Sequence, residues 1–171
     1  MASAYPFTQQ EFEEAARTWG ANCGPGALAF ACRCTLDEVR KAIPDFEARR
    51  YTSPTMMKAA IANLGRRYIE RNFDPREYPG KVALARIQWT ALGANPKWAY
   101  RQTHWIAIWC PHPQDDRQFV FDINGGIMLL ERWKKEIVPS LTAQTPRADG
   151  GWTHTHVWQL LPREAEIRGG A

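Results

Sequence analysis

The sequence predicts an α+β protein in which a helical N-terminal half packs on a C-terminal antiparallel sheet. Residues 1–65 carry helix-start signals and apolar residues at helical spacing, whereas residues 66–162 contain short segments in which apolar and polar residues alternate. Helices followed by antiparallel strands are typical of the α+β class. A chain of 171 residues can bury a sizeable core, so we expect a single domain that ends in a short tail at 163–171.

Capping motifs mark the starts of the predicted helices. Thr8 is followed three residues later by Glu11, and Thr35 by Glu38, which is the spacing of a capping box. A Ser-Pro pair opens a further helix, and Gly65 is a natural end for it. The predicted helices cover residues 8–19, 24 to about 33, 35–43 and 54–64.

Alternating segments predict strands in the second half, and the strongest is HWIAIWC. An Asn-Gly-Gly sequence predicts a turn between two of the strands. A short helix is expected at 130–138, ended by Pro139. The predicted strands cover residues 68–71, 82–89, 104–110, 118–123, 127–129 and 152–161.

Charge and composition favour a soluble, cytoplasmic protein. The 22 basic and 18 acidic residues give a net charge of +4, spread along the chain without a basic block. Nucleic-acid binding is therefore not favoured, despite the eight tryptophans. The N-terminus lacks the pattern of a signal peptide and no segment has transmembrane length, so we expect no membrane partner.

The cysteines and histidines do not form a recognisable metal motif. No CxxC pair is present, which argues against a zinc ribbon or a thioredoxin motif. His154 and His156 are two residues apart on a predicted strand, so both should lie on the same face, where a structural or exposed role is commoner than metal binding. We expect reduced thiols and neither a metal nor an organic cofactor. The cysteines are Cys23, Cys32, Cys34 and Cys110.

Cys23 is the candidate nucleophile. It stands directly before a Gly-Pro-Gly sequence and an apolar run, which predicts a helix that begins beside the sulfur. The positive end of a helix stabilises a thiolate. A buried structural thiol at a helix start is the alternative for Cys23 taken alone.

His104 and Asp122 are the candidate base and orienter. His104 opens the strongest predicted strand, and Asp122 ends the next one. If the two strands form a hairpin, antiparallel pairing brings His104 opposite Asp122 or a near neighbour. The carboxylate could then hold the imidazole, although Asp122 could also merely cap the following turn. Asn124 is a weaker candidate for the orienter.

These three segments resemble the papain-like cysteine peptidases, and most closely the C39-like group attached to bacteriocin exporters. The segments are NCGPGALA, THWIAI and FVFDIN, and the resemblance covers about residues 21–124. It implies a papain-like fold and a triad of Cys23, His104 and Asp122 that hydrolyses a peptide or isopeptide bond. The C-terminal GGWTHTHVW stretch has no counterpart in that family.

One departure from the family concerns the oxyanion hole. The family places a glutamine several residues before its cysteine, where this chain has Arg-Thr-Trp. Gln9 and Gln10 lie too far back to fill that place by simple alignment. The backbone N–H of Cys23 could donate one hydrogen bond, with Asn22 or Gln102 as candidates for the second donor.

Two alternatives remain beside the peptidase. The missing glutamine favours an inactive papain-like protein that uses its aromatic cleft to bind a protein or peptide. The same triad would also support amide hydrolysis on a small molecule or acyl transfer to an amine.

Overall fold

The computed structural model describes residues 6–91, 103–112, 114–145 and 148–162, and it has an N-terminal helical half and a six-stranded antiparallel sheet. The helices are α1 (Gln9–Trp19), α2 (Cys23–Cys32), α3 (Leu36–Ala42), α4 (Phe46–Arg49), α5 (Pro54–Asn63) and α6 (Leu130–Gln144), with a 3₁₀ turn at Pro75–Glu77. The strands are β1 (Tyr68–Glu70), β2 (Val82–Ala91), β3 (Thr103–Trp109), β4 (Phe119–Asp122), β5 (Gly126–Leu129) and β6 (Ala148–Leu160).

The predicted helix starts are confirmed. The Thr8 hydroxyl accepts a hydrogen bond from the backbone N–H of Glu11 at 3.1 Å, and the Glu11 carboxylate accepts one from the Thr8 N–H. Thr35 and Glu38 form the same reciprocal pair at the start of α3. Local sequence is sufficient here because both partners of a capping box lie within one turn.

The sheet separates two apolar layers. Its strand order is β1-β6-β2-β3-β4-β5, so the last strand lies between the first two. Leu84, Trp105 and Trp158 face the helical half, while alternate residues such as Ile87 and Ile106 face α6. Among the described residues, no helix combines the length and apolar character needed to cross a bilayer.

The predicted end of the last helix is wrong, because α6 continues through Pro139 to Gln144. Proline removes one backbone hydrogen bond, but Pro139 lies on the exposed side of the helix, where water can replace it. The turn after Pro139 is held by Thr142, whose hydroxyl donates to the Val138 carbonyl at 2.8 Å and accepts from the Trp89 indole N–H at 2.6 Å. Tertiary contacts therefore extend the helix beyond its sequence signal.

A β-bulge places His154 and His156 on opposite faces of the sheet, so the predicted shared face is wrong. Arg86 of β2 pairs with His156, but the next residue, Ile87, pairs with His154, which leaves Thr155 as the extra residue. An extra residue shifts the alternation of side chains by one. His154 consequently stacks on an aromatic ring of the α6 side, while His156 lies on the face of the helical half.

Candidate active site

Cys23 occupies the first position of α2. The side chain of Asn22 caps this helix by accepting a hydrogen bond from the Gly24 N–H at 3.2 Å. A Cβ on Gly24 would collide with the Thr52 side chain, so this position requires glycine for a close approach. The remainder of α2 is buried, while Cys23 stays partly exposed at the surface end of a buried helix.

The start of β3 meets the end of β4 at His104 and Asp122. The Nε2 atom of His104 lies 2.9 Å from Oδ2 of Asp122, and the two side chains are 8% and 0% exposed. Ala107 pairs with Phe121, and extending this register by one residue places Ile106 opposite Asp122. His104 is two residues from Ile106 on the same side of the strand, so it reaches the carboxylate along the diagonal of the hairpin.

Four hydrogen bonds hold the buried carboxylate of Asp122. Oδ2 accepts from His104 and from the indole N–H of Trp133, the latter at 2.7 Å. Oδ1 accepts from the backbone N–H and the side-chain amide of Asn124 at 2.9 and 3.0 Å. Asp122 thus both orients His104 and closes the turn after β4, which joins the two roles that the sequence left as alternatives.

Cys23 and His104 line one depression, and the charge of each shifts the pKa of the other. Because Asp122 occupies Nε2, Nδ1 is the ring nitrogen that remains for the thiol. Burial raises the pKa of the Cys23 thiol. The charge and hydrogen bond of His104 and the backbone N–H of Trp105 outweigh burial and lower this pKa below its ordinary value.

The pKa shifts of His104 and Asp122 favour an ionised arrangement. Burial lowers the pKa of His104, but the negative charge of Cys23 and the hydrogen bond to Asp122 raise it to about 10. Burial raises the pKa of Asp122, but hydrogen bonding to His104 and the imidazolium charge lower it overall. Both directions favour a thiolate beside an imidazolium over the neutral pair.

The other predicted site residues are Asn22, Gln102 and Asn124. Asn124 donates to Asp122, so it acts on His104 through that carboxylate. Asn22 lies beside Cys23, where its Nδ2 donates to the Arg50 carbonyl at 3.1 Å. Gln102 lies outside the described residues. Asn22 and Gln102 remain predictions as oxyanion donors.

Gln9 and Cys23 line the same shallow depression. This depression, which we call the Gln9 depression, has a volume of about 430 Å³ and is lined by Gln9, Asn22, Cys23, His104 and Asn124 among others. The Gln9 amide donates to Glu13 at 3.0 Å. The position of α1 thus places Gln9, which the sequence spacing had excluded, in the lining of the depression that also includes Cys23.

A larger cleft opens on the other side of Cys23. This Arg86 cleft has a volume of about 860 Å³, within the range of ligand sites. The segment 51–54 forms one wall, and side chains of β2, β3 and β6, including Arg86, Trp105 and His156, form the other. The thiol lies where the Arg86 cleft and the Gln9 depression meet, so an extended substrate could cross it.

Sequence reasoning missed Trp133, Arg86 and the backbone N–H of Trp105. Trp133 has no local signal, because the contact with Asp122 depends on how α6 packs. Arg86 carries one: it is the lone charge in the apolar segment VALARIQW. Burying a charge costs free energy of desolvation. A charged residue in such a segment is therefore a candidate for a functional role.

The three other cysteines do not line the cleft or the depression beside Cys23. All four cysteines are free, and Cys32, Cys34 and Cys110 are buried. Within the described ranges, no group of three or more His, Cys, Asp or Glu side chains is arranged to hold a metal ion.

Comparisons with known proteins do not identify the chain: no family model and no curated protein matches it.

Proposed function

We propose that the protein is a papain-like cysteine hydrolase of the C39-like type that cleaves a peptide or isopeptide bond. The observation that carries this proposal is the buried pair of His104 and Asp122, with Nε2 2.9 Å from Oδ2, at the depression that Cys23 also lines. The thiol is partly exposed and the two supporting residues are buried, as a nucleophile and its base require. The NCGPGALA, THWIAI and FVFDIN segments, which carry the family resemblance, supply these three residues.

The proposed reaction proceeds through a thioester. The Cys23 thiolate attacks the carbonyl carbon of the scissile bond, and the electron pair of the C=O bond moves to oxygen. The His104 imidazolium gives a proton to the leaving nitrogen, so that the amine departs as the carbonyl reforms. A water molecule then gives a proton to His104 and attacks the thioester, which releases the acid and regenerates the thiolate. Asp122 keeps the imidazole oriented throughout.

The N-terminus of α2 provides the first oxyanion donor. First-turn N–H groups have no partner within their own helix, so the Cys23 N–H can bond the developing oxyanion. Gln9 and Asn22 line the same depression as the thiol. Either amide is suited to be the second donor.

The pH dependence of Cys23 alkylation tests this proposal. Because the Cys23 pKa is lowered, labelling by iodoacetamide should be half-maximal at a pH below the ordinary cysteine pKa of about 8.5. The His104→Ala protein loses the imidazolium, so its labelling should move to that ordinary pH range. Catalysis should fall at high pH as His104 loses its proton, with the raised pKa of about 10 as the alkaline limit.

Mass spectrometry of peptides separates Cys23 from the three buried cysteines. His154→Ala is the matched control, because that exposed histidine lines neither the cleft nor the depression beside Cys23. Cleavage of a peptide library by the native protein, but not by Cys23→Ala, completes the test. If Cys23 reacts as an ordinary thiol in both the native protein and His104→Ala, the proposed hydrolase activity is contradicted. Peptide binding then becomes the proposed function.

A further inference from the structure

One wall of the Arg86 cleft is an irregular segment whose position depends on other parts of the chain. This wall segment, residues 50–53, connects α4 to α5 without helix or strand, and Tyr51, Thr52 and Ser53 from it line the cleft. Backbone carbonyl groups in such a segment have no regular ladder of partners, so side chains or water must bond them. The wall segment is therefore only as well placed as the groups that hold its carbonyls.

Two side chains from outside the wall segment bond its carbonyl groups. Nδ2 of Asn22 donates to the Arg50 carbonyl at 3.1 Å, and the indole N–H of Trp105 donates to the Thr52 carbonyl at 3.3 Å. Asn22 directly precedes the nucleophile in the chain, and Trp105 directly follows the proposed base. The residues that hold the wall segment are thus the immediate neighbours of the two reacting groups.

Asn22 uses the two ends of its side-chain amide for different contacts. Its Oδ1 accepts the Gly24 N–H at 3.2 Å and caps α2, while its Nδ2 holds Arg50, which is 28 residues further along the chain. An amide carries both an acceptor and donors, whereas aspartate and serine, which cap helices equally well, lack the amide donor. Asparagine at this position consequently joins the start of α2 to the wall segment.

The wall segment also packs closely on the first turn of α2. The Thr52 side chain is 8% exposed, and it fills the space in which a side chain at Gly24 would lie. Closely packed groups transmit displacements to one another. A shift of the wall segment would therefore change the cleft directly beside the Cys23 thiol.

We propose that Asn22 is a positioning residue that fixes the width of the Arg86 cleft, so that an extended peptide is held between the wall segment and the sheet. This inference rests on the proposed hydrolase function, and it adds a residue that sets the affinity for the substrate. Asn22 acts here through the Arg50 carbonyl, which is a different role from donating to an oxyanion. A wall that is already ordered binds with a smaller entropy cost. Loss of the donor should thus weaken binding more than it slows the chemical step.

Asn22→Ser tests this role, because serine retains the helix cap and loses the donor to Arg50. Asn22→Asp also retains the cap, but it places a carboxylate near the Arg50 carbonyl and beside the thiol. Asn63→Ser is the matched control. Nδ2 of Asn63 donates to the Ala42 carbonyl at 2.9 Å, and Asn63 lines neither the cleft nor the depression beside Cys23.

Hydrogen exchange of the Trp105 indole N–H, followed by NMR, reports on the wall segment without a substrate. Trp105 is 1% exposed and bonds to Thr52, so slow exchange is expected in the native protein. Through-bond assignment identifies its signal among those of the eight tryptophans. Exchange should be about threefold to tenfold faster in Asn22→Ser, as the loss of one hydrogen bond implies, and unchanged in Asn63→Ser. Unchanged exchange in folded Asn22→Ser would overturn the inference.

Chloroacetyl probes measure peptide binding at the thiol without forming an oxyanion, because the thiolate sulfur displaces chloride. A library of tripeptides that carry the chloroacetyl group at either end labels the native protein, and mass spectrometry of the Cys23 adducts identifies the fastest probe. Its inhibition constant KI and maximal rate kinact are then measured, with chloroacetamide as the reference that lacks a peptide. In Asn22→Ser, KI should rise by about threefold to tenfold while kinact changes little.

Asn22→Asp should raise KI at least as much. Its added carboxylate is a like charge beside the thiolate, so it should also move iodoacetamide labelling of Cys23 to higher pH. A folded Asn22 variant whose KI equals the native value would overturn the inference. A native protein that no tripeptide probe labels faster than chloroacetamide would do the same, even if both Asn22 variants fail to fold.

Iodoacetamide labelling separates this inference from the proposed function. In Asn22→Ser, the dependence of labelling on pH should match that of the native protein, because the imidazole of His104 keeps its partners. If labelling of the native protein does not depend on His104, the hydrolase is contradicted. The indole exchange still reports in that case whether Asn22 holds the wall segment.

Discussion

Asp122 and Arg86 are two buried charges near Cys23, and their surroundings differ. Asp122 is 0% exposed, and four donors from His104, Trp133 and Asn124 surround it. Arg86 donates to a hydroxyl and an amide and borders an open cleft. The enclosed charge fixes the geometry of a neighbouring group, whereas the other charge forms part of a cleft wall.

Desolvation explains why this difference matters. Moving an ion from water into a protein costs several kcal/mol unless charges and hydrogen bonds replace the lost solvation. The imidazolium of His104 and the three other hydrogen bonds replace it for Asp122. For Arg86, hydrogen bonds that include those to Thr155 and Gln88 replace part of it. Removing each charge should therefore affect stability to different extents.

Asp122→Asn should give the largest effect. Four donors converge on two carboxylate oxygens, but an amide offers only one oxygen, so two of the donors would face an NH₂ group. We expect the rate constant for hydrolysis to fall by about 10³ to 10⁴ and the free energy of unfolding to fall by about 3–5 kcal/mol. Peptide cleavage assays and urea denaturation measure these two losses.

The stability loss in Asp122→Asn should depend on pH. The pKa of Asp122 is lowered in the folded protein, so its carboxylate stabilises the fold fully above the unfolded value of about 3.9. That contribution disappears as the pH falls through the folded-state pKa. The exposed Asp116→Asn is the control. Equal stability of Asp122→Asn and native protein at pH 7 would contradict the role assigned to the enclosed charge.

Trp133→Phe should give an intermediate effect. It removes one donor to Asp122 and keeps most of a fully buried ring, so we expect about a tenfold loss of activity and a stability loss of about 1–2 kcal/mol. A carboxylate with one donor fewer is a stronger acceptor, which should move the alkaline limit set by His104 to higher pH. In Asp122→Asn this limit should move to lower pH.

The opposite directions of these two pH shifts distinguish positioning by Trp133 from simple packing. Trp152→Phe is the matched control, because Trp152 packs edge-to-face on Trp133 and has no part in the four hydrogen bonds to Asp122. An unchanged alkaline limit in Trp133→Phe, with only a loss of stability, would assign Trp133 to the core alone.

Arg86→Met should have the smallest effect on stability. The substitution loses the hydrogen bonds to Thr155 and Gln88, each worth about 1 kcal/mol, but it also removes the cost of burying a charge. We expect the free energy of unfolding to stay within about 1 kcal/mol of the native value in urea denaturation. A loss comparable to that of Asp122→Asn would remove the distinction between the two charges.

Features set by neighbours in the chain were predictable. The capping boxes at Thr8 and Thr35 were predicted because their partners lie three residues away. The proximity of His104 and Asp122 followed from hairpin geometry, in which a short connection sets the register of both strands. The cysteine at the start of α2 followed from the Gly-Pro-Gly signal.

Features set by packing were not predictable from the sequence. The bulge at Thr155 reverses the face of His154, and nothing in the alternating pattern marks it. The end of α6 was misplaced because contacts of Thr142 with Trp89 and Val138 compensate for Pro139. Gln9 was excluded as an oxyanion donor because of its sequence spacing, although the packing of α1 places it in the lining of the depression that includes Cys23.

The sequence by itself determined the α+β order of elements, the helix that begins at Cys23 and the pairing of His104 with Asp122. These depend on local propensity and on a single hairpin. Only the tertiary structure decided that Trp133 would reach the carboxylate and that Arg86 would border the cleft. Both contacts join elements that are distant in the chain, and their energies become favourable only once the sheet and its covering helices have packed.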